Sequence, residues 1–411
     1  MSELTKLKIL FFLKFCAEAM FLPFLALYYK QLGFSEGVIG LFLAIPAIVG
    51  ISLSPVYSII CKNVRITKII YSIITILNAI CMFLFFRLTS YYPLLIVIIL
   101  LNMFQANNFG VLEAFASVCS NHNKTDYSKV RVYGSIAYVL GLSLSGFLIK
   151  IHSFFLASMV ALVFTITSSI FAFLISANYD EKHKKRDIKA LIKNKQFIIF
   201  TIFFVLFVGT MNVGDDFYGT YLDETKGITN DIFGYIWASF IVVECAVIIF
   251  LARFKIKFKF KYLYFVSVLC CVIRFLTNAL GAPLPILILS GLTKGITWGI
   301  HAYLWGQFIV HLTGKRNGGL AIIISTFAIN IYQAVLKIIL GKVIDHTSYY
   351  TFYLILTFML IGVLIFFAIV YRNDEYKSEP NKKTNEKPIK QEENIDKNNE
   401  LVIENEKVAT A

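Results

Sequence analysis

The chain has 411 residues, of which 58% are hydrophobic and 16% are charged, and its formal net charge is +14 at pH 7. Soluble globular proteins carry roughly 25% charged residues, so this composition excludes an ordinary soluble protein and indicates a chain that lies in a lipid bilayer. The basic residues form short clusters between apolar runs, which is the pattern of membrane topology and not of nucleic-acid binding.

Apolar runs of membrane-spanning length follow one another along the chain. A transmembrane helix needs about 20 mostly apolar residues, and we number the qualifying runs span 1 to span 12. Spans 1 to 6 are predicted at residues 7–29, 38–60, 66–86, 92–118, 130–149 and 154–177. Spans 7 to 12 are predicted at residues 197–221, 232–251, 262–280, 284–310, 320–344 and 350–371. The predicted fold class is an all-α polytopic membrane protein with 12 transmembrane helices.

A basic segment between spans 6 and 7 divides the chain. Residues 178–196 hold seven Lys or Arg residues against three acidic ones. This predicts an N-terminal six-helix bundle at 1–177, a cytoplasmic linker at 178–196 and a C-terminal six-helix bundle at 197–371. Residues 372–411 have almost no large apolar side chains, so they are too polar to form a core and are predicted to be a disordered cytoplasmic tail.

The two bundles show signs of an internal repeat. A turn with the pattern Gly-x-Ser/Thr, followed by a further glycine, occurs between the first two spans of each half. The matching residues are Gly33, Ser35 and Gly40 in the first half and Gly227, Thr229 and Gly234 in the second. An even number of spans in each half makes the two repeats parallel, related by an axis along the membrane normal. The bundles are therefore predicted to be pseudo-symmetric.

Basic residues, cysteines and the N-terminus give further predictions. Lys and Arg fall on the linker side of the membrane roughly four times as often as on the other side, so both termini are predicted to be cytoplasmic. The seven cysteines show no C-x-x-C spacing and are predicted to be buried free thiols, not disulfides or metal ligands. The first apolar run contains Lys14 and Glu18, which indicates a membrane span and not a removed signal peptide.

Two short runs carry a family resemblance. The run PFLALYYKQLGFSEGVIG, from Pro23 to Gly40, and the run RVYGSIAY, from Arg131 to Tyr138, resemble the major facilitator superfamily. Within it they are similar to the branch that holds lactose permease, phenylpropionate permeases and nucleoside symporters. The resemblance implies the major facilitator fold and secondary transport. The loop between spans 2 and 3 departs from the usual Gly-x-x-x-Asp-Arg-x-Gly-Arg pattern, because Ser58 and Lys62 replace its Gly and Asp.

Polar residues inside the spans are candidates for a solute site, because a charge at the bilayer centre costs about 2.5 to 3.5 kcal/mol and needs a partner or a wet cavity. In span 10, Lys294, Trp298, His301 and Trp305 share one helix face. Packing with chance aromatics is the alternative, but it requires neither a Lys nor a His, so the face favours a cavity wall. In span 4, Asn102, Gln105, Phe109 and Glu113 share a face in the same way.

Charged residues in other spans complete the predicted site. Glu18 and Lys14 in span 1 form either a self-neutralising pair or part of the cavity, and the resemblance adds Arg131, whose planar guanidinium group can grip a hydroxylated or carboxylated solute. The predicted substrate-binding residues are Glu18, Asn102, Gln105, Glu113, Arg131, Trp298, His301 and Trp305. The resemblance adds to this prediction, since Glu113 and Arg131 resemble a sugar-binding Glu and Arg pair of lactose permease.

Spans 7, 10 and 11 offer two acids and two lysines as neutralising pairs, namely Asp215, Asp216, Lys294 and Lys337. The resemblance implies the same pairing, since lactose permease has acid–lysine pairs between these helices. It also implies that Glu244 and Arg274 take part in proton coupling. His301 is a further candidate, because histidine changes charge near neutral pH. The Glu of helix ten that carries the proton in that relative has no acidic match here, where Ile300 and His301 stand.

The sequence as a whole predicts a secondary transporter that moves a small polar solute by alternating access with a proton. The expected solute is a sugar, a nucleoside or a small aromatic or organic acid, and the expected partners are the lipid bilayer and H⁺, with no cofactor, no metal and a monomeric state. The alternatives are a proton-coupled exporter of drug-like compounds and a non-transporting sensor or membrane enzyme on the same fold. The sequence has no Walker-type, His-Glu-x-x-His or Gly-x-Ser-x-Gly motif, which leaves an enzyme without support.

Overall fold

Helices account for nearly all of the chain that can be described. The computed structural model describes residues 2–60, 64–105, 128–151, 153–175, 193–254 and 260–372, together with positions 108, 111, 112, 116, 119, 120 and 191. The helices of the first half are Glu3–Phe21, Leu25–Gln31, Glu36–Ile60, Val64–Phe85, Tyr91–Gln105, Ser128–Ile151 and Phe154–Leu174. Those of the second half are Lys195–Asp216, Tyr218–Lys226, Asn230–Phe254, Phe260–Ala279, Leu284–His346 and Tyr349–Arg372.

These helices fall on the predicted spans. Within the described residues, nine helices are long and apolar enough to cross a membrane. Two shorter apolar helices, Glu36–Gly50 and Tyr91–Gln105, lie in spans 2 and 4. The long helix Leu284–His346 contains both span 10 and span 11. Gly314, with a positive φ of 76°, forms a kink that separates the two spans. Each of the twelve predicted spans therefore contains described helix.

Spans 1 and 7 are both interrupted at corresponding places. In span 1 the helix passes into a 3₁₀ turn at Leu22–Phe24, because Pro23 has no N–H and its ring opposes a regular α-helix. In span 7 the helix ends at Asp216, and a new helix begins at Tyr218. Interrupted helices in matching positions of two repeats mark the binding site in many transporters. The residues beside the two breaks are therefore candidates for a binding site.

The repeated turns have the same backbone conformation. Gly33 and Gly227 both adopt a positive φ, of 83° and 65°, which a glycine accepts without the strain that a Cβ would cause. In each turn the residue two positions later, Ser35 or Thr229, offers its carbonyl to the first turn of the next helix. We call the end of the molecule that carries these two turns the Gly33 end.

The two halves touch closely near the Gly33 end. Span 2 packs on span 11, where Gly40 lies so near the Lys337 carbonyl that a Cβ would clash with it. Span 5 packs on span 8 in the same manner, since a Cβ on Gly234 would lie 2.9 Å from the Leu142 carbonyl and 3.3 Å from the Cα of Gly146. Small residues allow such close approach of helices in a membrane.

Ionic contacts join the halves at the same end. Lys30 of span 1 contacts both Glu36 of span 2 and Glu224 at the end of span 7. The Asp345 carboxylate of span 11 accepts hydrogen bonds of 2.7 and 2.9 Å from the backbone N–H groups of Glu36 and Gly37. A carboxylate is stabilised there, because the first N–H groups of a helix lack partners and carry partial positive charge.

Residues Met1–Phe367, which include the first predicted bundle and all but the last four residues of the second, form one compact unit. The second unit, Ala368–Ala411, is described only to Arg372, as helix. The division into bundles at residues 178–196 stays a prediction, and most of that linker lies outside the described residues, as do Lys62 and the predicted tail beyond Arg372.

Candidate functional site

A cavity of about 330 Å³ opens beside the break in span 1. Its wall is mostly apolar and aromatic, and its polar groups come from Glu18, Asn102 and Gln105. Aromatic walls with a few polar groups are typical of small-molecule sites. The apolar and aromatic wall residues are Phe21, Leu22, Leu25, Tyr29, Phe42, Leu43, Pro46, Phe85, Ile98 and Leu101.

Three predicted substrate-binding residues thus meet in one cavity. Glu18 reaches it from span 1, one turn before the break, and Lys14 lies 3.2 Å from its carboxylate. The side chain of Lys14 is only 3% exposed, whereas that of Glu18 is 12% exposed. The two sequence interpretations therefore hold together, since the pair is neutralised and its acidic member also faces the cavity. Gln105 is fixed by Asn78, whose amide donates to Gln105 Oε1 at 3.4 Å.

A second cluster surrounds Asp215, just before the break in span 7. Arg274 Nη1 lies 2.7 Å from Asp215 Oδ1, and Lys294 Nζ lies 3.6 Å from Oδ2. The indole N–H of Trp298 donates to Oδ2 at 3.2 Å. Lys294 Nζ also lies 4.4 Å from the ring centre of Trp237 and 5.7 Å from that of Trp298. One carboxylate therefore holds two cations, one of them between two indole rings, where a cation is favoured.

Asp216 takes part in a different cluster. Lys337 Nζ of span 11 lies 2.7 Å from its Oδ2, and the same ammonium donates to the Leu43 carbonyl of span 2 at 3.2 Å. The side chain of Asp216 is 35% exposed, against 9% for Asp215. The structure thus brings the predicted acids and lysines together as Asp215 with Lys294 and Asp216 with Lys337.

A row of amides continues this cluster along spans 7 and 11. The Asn212 amide donates to Gln333 Oε1 at 3.0 Å, and the Gln333 amide donates to Asn330 Oδ1 at 2.9 Å. All three side chains are half-buried or more. Amides can both donate and accept hydrogen bonds, so such a row suits a solute with hydroxyl or carbonyl groups.

The C-terminal part of the span 10 face, His301 and Trp305, packs inside the second half. The Tyr264 hydroxyl lies 3.3 Å from His301 Nδ1, and the rings of Phe204 and Trp305 lie 5.8 and 4.9 Å from the His301 ring. Trp305 also packs on the core cluster around Ile309. The structure therefore places Trp298 with the Asp215 cluster but His301 and Trp305 among aromatic packing partners.

Glu244 and Arg274, which the resemblance implies as the proton-coupling residues, have separate partners in the structure. Arg274 is bonded to Asp215, and no ion pair joins it to Glu244 within the described part of the chain. Among the described residues, Lys294, Arg131 and Asp215 lie within electrostatic range of Glu244. The guanidinium of Arg131 lies 4.3 Å from the ring centre of Phe15. Its implied partner Glu113 lies outside the described residues, as does Phe109.

Some residues of these clusters were not predicted from the sequence. Trp237 stands seven residues before Glu244 and hence on the same face of span 8, which was a usable signal. Tyr29 and Phe42 of the cavity wall, with ring centres 5.1 Å apart, lie in runs that are apolar throughout, so no sequence pattern distinguishes them. The Leu43 carbonyl belongs to the backbone and has no sequence signature.

The sequence matches known proteins over most of its length. A model of the family described as MFS_1 like family matches residues 4–328. The nucleoside permease NupG of Escherichia coli (strain K12) is 22% identical over 319 residues, which cover 71% of this chain and 75% of that protein. The "Probable 3-phenylpropionic acid transporter" of the same organism is 24% identical over 290 residues, covering 68% and 74%.

Solved structures show the same fold. The crystal structure of the nucleoside transporter NupG has a TM-score of 0.76 at 19% identity and covers 91% of this chain and 100% of that one. A POT family transporter has a TM-score of 0.69 at 13% identity, with coverages of 92% and 96%. The predicted fold class, an all-α polytopic membrane protein with the major facilitator fold, is confirmed by these matches.

Proposed function

The chain belongs to the MFS_1 like family, and from this membership we propose that it carries a small, uncharged polar solute of the nucleoside or sugar class by alternating access. It is a multi-pass membrane transporter and not an enzyme, as its relatives and structural neighbours are transporters. The solute class is supported by the cavity beside span 1 and by the charge balance around it.

The charge balance is the observation that carries the proposal. Four cations lie in the described membrane interior at Lys14, Arg274, Lys294 and Lys337, and three carboxylates lie within 4 Å of them, since Arg274 and Lys294 share Asp215. The fourth acid is Glu244 in span 8, which is within electrostatic range of Lys294. A buried ion pair that loses its balance is strongly unfavourable. A neutral solute leaves these pairs intact, whereas an organic anion has to displace one of the carboxylates. The aromatic rings and amides of the cavity supply stacking and hydrogen bonds for such a solute.

An aromatic acid is the second candidate. Lys294 between Trp237 and Trp298 offers a cation beside aromatic surfaces, which suits a ring that bears a carboxylate. One relative is described as a 3-phenylpropionic acid transporter. This reading requires Asp215 to release Lys294 when the solute arrives, while Arg274 keeps Asp215 neutralised.

The coupling ion of the proposed cycle is the proton. Glu244 is the proposed carrier, because it lies in span 8 within electrostatic range of Lys294 and Arg131 and touches span 10 through its backbone, which approaches Gly295 and Gly299. A relative movement of these two helices changes the distance between the carboxyl group and the nearby cations, which changes its affinity for a proton. His301 is the alternative carrier.

Both termini are proposed to be cytoplasmic, which makes the Gly33 end the outer end. The bias of Lys and Arg toward the linker side supports this orientation. The protein is proposed to work as a monomer, since one chain supplies both of the repeats that alternating access needs.

Uptake into liposomes tests the solute class. Purified protein is reconstituted, the liposomes are loaded with excess unlabelled solute, and entry of the radiolabelled form is measured for uridine, a methyl galactoside and 3-phenylpropionate. We expect counterflow of uridine or of the galactoside. Counterflow of 3-phenylpropionate alone would replace the proposal by the aromatic-acid reading, and activity toward none of the three would overturn both.

A further inference from the structure

Lys337 holds contacts in both halves of the protein at once. Its ammonium lies 2.7 Å from Asp216 Oδ2 in span 7 and donates to the Leu43 carbonyl of span 2 at 3.2 Å. Only 9% of the side chain is exposed. Spans 7 and 11 belong to the second half of the chain and span 2 to the first, so this single group joins the two halves.

The partner across the interface also belongs to the cavity wall. Leu43 is one of the residues that line the cavity, and its neighbour Phe42 lines it too. A movement of span 2 away from span 11 therefore breaks the Lys337 bond at a residue of the cavity wall. The same bond links Asp216, beside the break in span 7, to the wall of a cavity beside the break in span 1.

Small residues allow a lysine to reach a helix carbonyl here. Ala44 and Ala47 of span 2 form a core cluster with Ala334 of span 11, and Gly40 lies against the Lys337 backbone itself. The two helix backbones thus run close together. An ammonium carries three donors, so Lys337 can hold Asp216 and the carbonyl at the same time.

Lys294 provides an internal comparison. It has the same residue type, a similar side-chain exposure of 6% and an aspartate partner adjacent in sequence. Its contacts are Asp215, Trp237 and Trp298, which all lie in the second half. Among the residues that the structure describes, Lys294 therefore has an ion pair but no contact across the interface.

We propose that Lys337 is a positioning residue that keeps spans 2 and 11 together, so that the Gly33 end opens only when its bond to the Leu43 carbonyl breaks. Asp216 stays with Lys337 on the same half and holds the ammonium at the correct height. The proposal rests on the alternating-access cycle proposed above, but it does not depend on the identity of the solute. Breaking a hydrogen bond between an ammonium and a carbonyl in a low-dielectric site is unfavourable. The bond of Lys337 therefore stabilises the state in which the Gly33 end is closed.

The test measures the distance between the two helix ends without any solute. Spin labels are attached to ketone-bearing amino acids placed at Ser35 and Thr347, both exposed at the Gly33 end, so that native cysteines stay unchanged. Distance distributions are recorded by double electron–electron resonance in lipid nanodiscs. The variants are Lys337→Met, Asp216→Asn, the double variant Asp216→Asn with Lys337→Met, and the matched control Lys294→Met.

We expect Lys337→Met and the double variant to raise the ratio of long to short distances at least tenfold, which corresponds to about 1.4 kcal/mol. Asp216→Asn and Lys294→Met should keep the short distance, because the bond to Leu43 remains in both. The double variant carries no unpaired charge, so it reports on the bond even where Lys337→Met fails to fold. An unchanged distance in the double variant, or equal opening in Lys294→Met, would overturn the proposal. Neither result would affect the solute assignment, which the liposome assay decides separately.

Discussion

Arg274 and Asp215 form an ion pair of 2.7 Å whose two side chains are only 2% and 9% exposed. Lys294 shares the same carboxylate, so Asp215 is the common partner of two cations in the interior of the second half. Asp216, the next residue, serves one cation and is 35% exposed. The two adjacent aspartates therefore differ both in burial and in the number of cations that they pair with.

The first prediction follows from this inequality. Asp215→Asn leaves Arg274 and Lys294 without their common carboxylate, and removal of one partner of a buried ion pair destabilises by about 3 to 5 kcal/mol. Asp216→Asn is the isosteric control and should have a smaller effect, because its site is partly exposed. Thermal unfolding of the purified variants in detergent compares them. Equal losses of stability would contradict the assignment of Asp215 as the central acid.

The second prediction concerns Gly40. Its missing side chain lets span 2 lie against the Lys337 carbonyl, so Gly40→Val should push spans 2 and 11 apart at a cost of about 1 to 3 kcal/mol to the closed state. Solute exchange should fall and the Gly33 end should become more accessible. Gly362→Val in span 12 is the control, since a Cβ there has no neighbour within 4 Å. The prediction fails if both substitutions have the same effect on accessibility.

The third prediction separates the two roles of Glu18. Glu18→Gln removes the charged partner of Lys14 and the carboxylate of the cavity wall, so both stability and uptake should fall. Adding Lys14→Met removes the lone cation and should restore much of the unfolding temperature, but not uptake. Restored uptake in the double variant would show that Glu18 only neutralises Lys14. Unfolding temperatures and initial uptake rates are measured on the same preparations.

The fourth prediction concerns the proton. Glu244→Gln cannot exchange a proton, so uptake driven by an inward proton gradient should disappear, while exchange of solute across liposomes should continue. His301→Gln is the comparison variant, because His301 is the alternative proton carrier. Its ring lies among Phe204, Tyr264 and Trp305. If wild-type uptake does not respond to a proton gradient, the protein is a facilitator or uses another ion, and the role of Glu244 falls.

The fifth prediction concerns orientation. A cysteine introduced at Lys189 in the linker should not react with a membrane-impermeant thiol reagent in intact cells, whereas one at Gln31, exposed at the Gly33 end, should react. Labelling is measured as the increase over the unmodified protein. The reverse pattern would place the termini outside.

The fold could be predicted from the sequence, because span length and turn residues are local properties. Gly33 and Gly227 were found by pattern, and both adopt the positive φ that the turn needs. The partner of Arg274 could not be found in this way. Helical periodicity tells which residues share a face of one helix, but not which face of another helix it meets, so Glu244 and Asp215 were equally available.

The break in span 7 shows a similar limit. Pro23 announces the break in span 1, whereas the sequence around Phe217 contains no proline and reads as continuous helix. Its position can be predicted only from the internal repeat, by adding the repeat offset to the position of the break in the first half. The contact of Lys337 with a backbone carbonyl had no such route, because every residue of span 2 offers the same acceptor.

Lys30 and Glu224 contact one another, and they stand 194 residues apart, which is the offset between the repeated turns at Gly33 and Gly227. In a symmetric pair of identical subunits, a residue near the two-fold axis meets its own copy. Two identical halves would therefore place lysine against lysine or glutamate against glutamate at this point, and like charges repel. The opposite charges found here require that the halves differ in sequence, so neither half could be replaced by a second copy of the other without losing this bond.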